Sequence, residues 1–208
     1  MEGWMNRCTL CPRRCGADRT VSVGRCGVGE QVRLARAALH FWEEPCGSGE
    51  EGSGTVFFSG CSLGCVFCQN YQISAGHFGR DIPVERLAEI FLELQEQKAN
   101  NINLVTGGHY IPQIVRALDL VRGKLHIPVV YNSSGYETVE ALRMLKGYVD
   151  VYLPDLKYRS PERGARYSHA PDYFAVASKA ILEMLDQVGP VQFDGRGMIQ
   201  RGLIVRHM

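Results

Sequence analysis

Five short runs of apolar, β-branched or aromatic residues punctuate the chain after residue 54: Thr55–Ser59, Ile102–Thr106, Pro128–Tyr131, Val149–Leu153 and Leu203–Arg206. Each is apolar nearly throughout, as parallel strands covered on both faces are. Between them the apolar positions switch to a helical period. Val84, Leu87, Ala88, Phe91 and Leu94 share one face of a helix expected over 83–99, opened by Asp81 and Pro83 and closed by Asn100. Ile111, Ile114, Val115, Leu118 and Val121 do the same over 111–122, with Gly123 as the stop. A third helix is expected over 137–146, ended by Gly147. A fourth is expected over 171–188, with Phe174, Ala177, Ile181, Met184, Leu185 and Val188 inward and Gly189 as the stop. This β-α alternation predicts an α/β fold with a parallel sheet, open or curling toward a barrel.

In such folds the chemistry sits on loops at the carboxyl ends of the strands. The unusual residues fall there: GCSLGCVFC after the first strand, TGGHY after the second, NSSGY after the third and PDLKY after the fourth. Upstream the texture differs. Residues 1 to about 35 are rich in Cys and Arg, with Arg7, Arg13, Arg14, Arg19, Arg25, Arg33 and Arg36 against Glu2, Asp18 and Glu30. This stretch has little apolar periodicity and is expected to need a metal to order itself. CGSGEEGSG, residues 46–54, reads as a loop. The division expected is a Cys-rich head over 1–45 and a barrel part over 46–208.

Composition narrows the class without naming a chemistry. The 208 residues are 45% hydrophobic and 22% charged, with a net charge of +1, so a sizeable core is available and no polyanion partner is indicated. The chain has no apolar run of membrane-spanning length and no h-region in Met1–Leu10. No membrane association and a cytoplasmic location are therefore expected.

The eight cysteines change the picture: Cys8, Cys11, Cys15, Cys26, Cys46, Cys61, Cys65 and Cys68. Gaps of two and three residues are metal-ligand spacing, and no export signal argues for disulfides. Cys61, Cys65 and Cys68 form C-x3-C-x2-C, three thiolates on one short loop. A structural zinc or an ordinary [4Fe–4S] cluster takes four protein ligands, so three leave one position for a substrate or cofactor. The competing reading is a zinc knuckle completed by Cys46 or a histidine. Cys8, Cys11, Cys15 and Cys26 suit either a four-thiolate zinc site or a second iron–sulfur cluster. A basic four-cysteine head is also the shape of a nucleic-acid grip, but no aromatic residues interleave with its charges, so no nucleic-acid partner is expected. Cys46 reads as a buried or loop thiol. His40, His77, His126 and His169 read as surface or core residues, and His207 as structural or substrate-facing. Tyr110, Tyr136 and Tyr158 follow successive strand ends and either line a mouth or pack loops onto helices.

The triplet Cys61-x3-Cys65-x2-Cys68, with a strand before it and Phe67 before its last cysteine, resembles the radical S-adenosylmethionine (SAM) superfamily. The head and the segments GSGTVFFSGCSLGCVFCQNYQIS, NINLVTGGHY, IPVVYNSSGY, VDVYLPDLKY and GLIVRH resemble one branch of it, the pyruvate formate-lyase activating enzyme-like iron–sulfur proteins.

That resemblance implies a partial (β/α)6 barrel with a [4Fe–4S] cluster on Cys61, Cys65 and Cys68. The cluster would chelate SAM and cleave it reductively to a 5′-deoxyadenosyl radical that abstracts hydrogen. Thr106-Gly107-Gly108 resembles the glycine motif that receives the SAM amino group; His109 stands where the superfamily often has Glu. Asp155 and Lys157 resemble the charged SAM contacts of activating enzymes, and period two puts them on one face. Asn132 and Ser134 occupy the third strand end, where activating enzymes begin with an acid. The resemblance further implies a flavodoxin or ferredoxin as electron donor and a glycyl-radical protein as target, with another peptide or a small molecule as the alternative. A non-catalytic four-cysteine module is the reading from a different class. Only five strands are counted from residue 55, so the barrel is expected to be truncated after strand five, leaving that strand an exposed edge.

Overall fold

The computed structural model describes residues 3–207, so Met1, Glu2 and Met208, at the ends of the two expected regions, lie outside the described residues. The head begins with helix α1 (Gly3–Asn6) and continues irregularly to strand β1 (Val32–His40). Then follow α2 (Pro45–Ser48), β2 (Ser53–Phe58), α3 (Tyr71–Ser74), β3 (Arg80–Ile82), α4 (Val84–Glu96), β4 (Ile102–Val105), α5 (Ile111–Leu120), β5 (Val129–Ser133), α6 (Val139–Arg143) and β6 (Val151–Leu156). The chain closes with α7 (Pro161–Ser168), α8 (Tyr173–Val188), β7 (Gln192–Phe193), β8 (Ile199–Leu203) and β9 (Arg206–His207).

Among the described residues nine strands join one sheet in the order β3-β1-β2-β4-β5-β6-β8-β7, with β9 also paired to β6. The run β2-β4-β5-β6-β8 is parallel, and β1, β3 and β7 are antiparallel additions. This is the mixed α/β architecture that the alternating pattern predicts, compatible with a partial barrel. Side-chain alternation divides the faces. Val56, Phe58, Ile102, Leu104, Val129, Tyr131 and Tyr152 face the helices and pack with Leu87, Phe91, Ile111, Ile114, Leu142 and Met184. Val130, Val151, Leu153 and Ile199 face the other way and pack with Cys46 and Ile204. Cys46 is thus a partly buried thiol on the inner face of the sheet.

Four elements depart from expectation. β1 falls where only head and connection were read, and it pairs with β2 across the expected 45/46 boundary. Its Ala- and Arg-rich stretch VRLARAALH has no clean alternation, because a bulge between Leu34 and Arg36 resets which side chains face inward. The fifth strand is not Leu203–Arg206 but two pieces. β8 pairs Gly202 with Val151, and β9 pairs Arg206 with Asp155, in one continuous register interrupted at Ile204 and Val205. β8 is not the exposed edge, since β7 pairs along its outer side. Helix α6 stops at Arg143, shorter than 137–146, and α7 was not foreseen because its helical face is polar and Gly164 interrupts it.

The head is anchored to the sheet by one buried cation. Arg19 is 1% exposed, donates twice to Gly29 O and once, at 2.6 Å, to His109 O, and lies over the Tyr110 ring. Thr138 caps α6 and also donates to Leu10 O at 2.8 Å. No helix among the described residues is long and apolar enough to cross a membrane. Replacing Arg19 by Met would leave Gly29 O and His109 O without these donors. Urea denaturation should then show a loss of about 2–4 kcal/mol; a change within about 0.5 kcal/mol would contradict this anchoring role.

Candidate functional site

Parallel pairing sets four loops side by side. Phe57 pairs with Val105, Val105 with Asn132, Ser133 with Pro154, and Asp155 with Arg206. The loops that begin at Ser59, Thr106, Ser134 and Lys157 therefore open on one rim.

The cysteine loop is folded against the head at its start and against α7 in its middle. Gly60 has φ +85°, and a Cβ there would lie 2.6 Å from Cys26 O, so no other residue fits. Cys61 N–H donates to Cys26 O at 3.3 Å, and Val66 N–H donates to Tyr167 O at 2.9 Å. Arg13 locks the arrangement: Nε donates to Ser62 O at 2.8 Å, Nη1 to His169 O at 2.5 Å and Nη2 to Ser168 O at 3.1 Å. His169 closes α7 in the left-handed region and packs over Gly64.

All eight cysteines are free thiols. In the triplet each sulfur has a hydrogen-bonding neighbour. Leu63 N–H donates to Cys61 Sγ at 3.4 Å, Ser168 Oγ–H donates to Cys65 Sγ at 2.8 Å, and Ser74 Oγ lies 3.2 Å from Cys68 Sγ. Burial pushes the Cys61 thiol up to about 12, and the nearby Cys65, Cys68 and Glu137 add to the effect. Among the described residues no three His, Cys, Asp or Glu side chains are gathered into a finished metal polyhedron. The triplet is therefore read from its donor chemistry.

Residues 55–191, from within β2 to just before β7, match the family described as the Radical SAM superfamily. The chain belongs to the radical SAM superfamily. It is also 35% identical over 188 residues to an uncharacterized protein of Methanocaldococcus jannaschii. That alignment covers 86% of this chain and 54% of the relative, so the chain spans about half the length of the curated relative it matches.

The radical SAM family implies a [4Fe–4S] cluster and SAM, and the cysteine loop suits the cluster. Its three sulfurs share one loop, and each already meets a group that can donate to a ligating thiolate. The positions expected to meet SAM lie along the same rim. Thr106 holds a left-handed backbone at φ +60°, rare and costly for a β-branched residue. A Cβ on Gly107 would strike Ile114 at 2.6 Å, and one on Gly108 would strike the Glu137 carboxylate at 2.5 Å. His109 turns away from the rim: it is buried, its Nε2–H donates to Ser59 O at 2.8 Å, and burial lowers its pKa to about 3. Lys157 and Asp155 form a 2.5 Å ion pair with side chains only 10% and 14% exposed, so this is not an ordinary surface pair. Arg206 Nε donates to Asp155 Oδ1 at 2.9 Å and its Nη2 to Asn132 Oδ1 at 2.7 Å, while Glu43 and Glu44 each lie 3.8 Å away. Ser134 takes part through its backbone, accepting from Tyr173 Oη at 2.7 Å.

The head thiols approach one another without closing a site. Cys8, Cys11 and Cys26 are buried and Cys15 is exposed. The sulfurs of Cys26 and Cys15 lie 3.3 and 3.6 Å from where a Cβ on Gly24 would stand. Burial pushes Cys11 up to about 11 and raises Cys26 as well. Burial also opposes ionisation of Cys15, but the N–H groups of Ala17 and Arg25 and the Cys8 thiol outweigh it and lower its pKa.

Sequence reasoning missed Arg13, Ser168, Arg206 and Glu137. Arg13 was one arginine among seven in the head, and no local pattern marks its partners more than 48 residues away. Glu137 directly follows Gly135-Tyr136, and that adjacency to a strand-end motif was the available signal. Its carboxyl is buried against Gly108 and pushed up to about 7 by that burial. The tyrosines pack loops onto helices: Tyr136 stacks on Tyr173 and donates to Asp172, and Tyr110 Oη accepts from Arg33 N–H.

His109 has a pKa near 3 when folded against 6.5 when free, so unfolding takes up a proton below about pH 6.5. Its contribution is complete above that value and is lost as the pH falls. Between pH 7 and 5, His109→Gln should lose about 2 kcal/mol less stability than the parent, measured by denaturant titration at both pH values. Arg13→Ala should free the cysteine loop from α7. Amide hydrogen exchange at Val66 should then rise at least tenfold, and unchanged protection there would show that Arg13 does not hold the loop.

Proposed function

We propose that the chain acts as a radical SAM enzyme, with Cys61, Cys65 and Cys68 as the ligands of its cluster. The observation that carries this reading is the rim itself. Three thiols on one short loop each meet a hydrogen-bonding neighbour, and a buried Asp155–Lys157 pair lies on the same rim. A [4Fe–4S] cluster with SAM supplies a one-electron reductive cleavage that yields methionine and a 5′-deoxyadenosyl radical for hydrogen abstraction. The residues supply the rest. The carbonyls of Thr106, Gly107 and Gly108 accept the SAM ammonium in this reading. Asp155, Lys157, Asn132 and Ser134 position its charged and polar groups. The partly buried rim limits access of water to the reacting atoms.

The pyruvate formate-lyase activating enzyme-like branch is the finer assignment, with a glycine Cα–H of a partner protein as target and a flavodoxin or ferredoxin as electron source. Support comes from Asp155-Leu156-Lys157 at the end of β6 and from the cysteine-rich head. Modification of another peptide or of a small molecule is the alternative target within the same chemistry. We assign Cys8, Cys11, Cys15 and Cys26 to a second metal, zinc or iron–sulfur, that staples residues 1–45 to the barrel part at 46–208. The sulfurs of Cys26 and Cys15 beside Gly24, and the hydrogen bond from the Cys8 thiol to Cys15, support this assignment. Eight free thiols suit a reducing, cytoplasmic setting.

Anaerobic reconstitution tests the reading. The chain should take up about four irons and four sulfides on the triplet, and SAM should change the EPR signal of the reduced cluster. Cys65→Ala should abolish SAM cleavage to methionine and 5′-deoxyadenosine. A cluster indifferent to SAM, or cleavage that survives Cys65→Ala, would overturn the assignment.

A further inference from the structure

Ser168 is the last residue of α7 and is completely buried. Its hydroxyl lies 2.8 Å from Cys65 Sγ and 2.8 Å from Tyr158 Oη. A serine hydroxyl carries one proton, and a metal-bound thiolate carries none and can only accept. With Cys65 as a ligand, Ser168 therefore gives its proton to the sulfur, and Tyr158 gives its own to Ser168. The direction of both bonds is fixed by this count.

The relay is held rigidly. Tyr158 is 8% exposed and is packed between Tyr173, edge-on at 5.3 Å, and Phe67 of the cysteine loop, edge-on at 6.4 Å. Ser168 cannot retreat, because Arg13 holds its carbonyl and that of His169 while gripping Ser62 O on the cysteine loop. The other two sulfurs have longer contacts, 3.4 Å to Leu63 N and 3.2 Å to Ser74 Oγ. Cys65 therefore receives the shortest hydrogen bond of the three.

We propose that Tyr158 and Ser168 form a two-link hydrogen-bond relay that sets the reduction potential of the cluster through Cys65. The proposal rests on the radical SAM reading. A donor to a ligand sulfur withdraws electron density and favours the reduced, more negative cluster, which raises the potential. The step concerned is simple: one electron passes from an external low-potential carrier to the cluster, the carrier is oxidised, and no bond in the protein forms or breaks. Ser168 and Tyr158 are positioning residues, acting through Cys65 and touching neither SAM nor target. Tyr158 adds to the effect because a hydroxyl that accepts a hydrogen bond becomes a better donor.

The test is an EPR-monitored redox titration of the anaerobically reconstituted chain, its Ser168→Ala variant and its Tyr158→Phe variant, without SAM. The midpoint potential should move to a lower value in Ser168→Ala, and by a smaller step of the same sign in Tyr158→Phe, with iron content unchanged. Midpoints equal to the parent's in both variants would overturn the relay, even if both are less stable to heat, because a purely structural role moves stability and not potential. Should Ser168→Ala fail to keep its cluster, the sign of the Tyr158→Phe shift decides. A parent chain whose cluster ignores SAM would overturn the enzyme reading while the potentials still judge the relay; a parent chain that holds no cluster would overturn both.

Discussion

One guanidinium holds together three segments that are far apart in the chain. Arg13 takes the carbonyls of Ser62, Ser168 and His169 on its fork of N–H groups, with its flat face over the Tyr136 ring. A lysine has no planar fork with which to copy this. Without the clamp the cysteine loop keeps its bonds to Cys26, Tyr167 and Ser168, but it loses the side chain that ties the head to α7. The spacing of Cys61, Cys65 and Cys68 is local, but the surroundings of their sulfurs depend on this long-range contact. Arg19 does the same at the other end of the head, where it fastens Gly29 to His109.

The parallel strands were legible because burial on both faces leaves an uninterrupted apolar run, and the helices were legible because their stripes repeat at the helical period. The strand-end loops followed from these two patterns, and with them the residues of the rim. β1 was not legible. Its bulge shifts the inward parity partway along, and alanines stand where large side chains would have marked a face. β8 and β9 were blurred into one strand because Ile204 and Val205 are as apolar as a strand requires, yet they form the break.

The site divides the same way. Cys61, Cys65 and Cys68 lie within eight residues and could be read as a unit. The Asp155–Lys157 pair was also readable, since two residues on one strand face must meet. Ser168 and Arg206 were not, because each reaches the rim only after a helix or a hairpin has brought it back. His109 shows the opposite limit. It stands after two glycines, where the superfamily often has Glu, but the turn aims it at Ser59 O behind the cysteine loop. A motif fixes where the backbone goes; the side chain follows whichever space the neighbouring segment leaves open.

The interrupted last strand has a mechanical meaning. β9 is only two residues long, and one of them, Arg206, pairs with Asp155 along the sheet while its side chain grips Asp155 and Asn132. Completing the sheet and composing the polar rim are thus one event. If β9 peels from β6, the same motion withdraws one of the two cations that pair with Asp155, Arg206, and leaves the other, Lys157, in place. Fraying at this border would change the charge offered to a ligand while Asn132, Asp155 and Lys157 keep their places. The break at Ile204 and Val205 separates that fraying from β8, so β8 and the strands beside it stay in place.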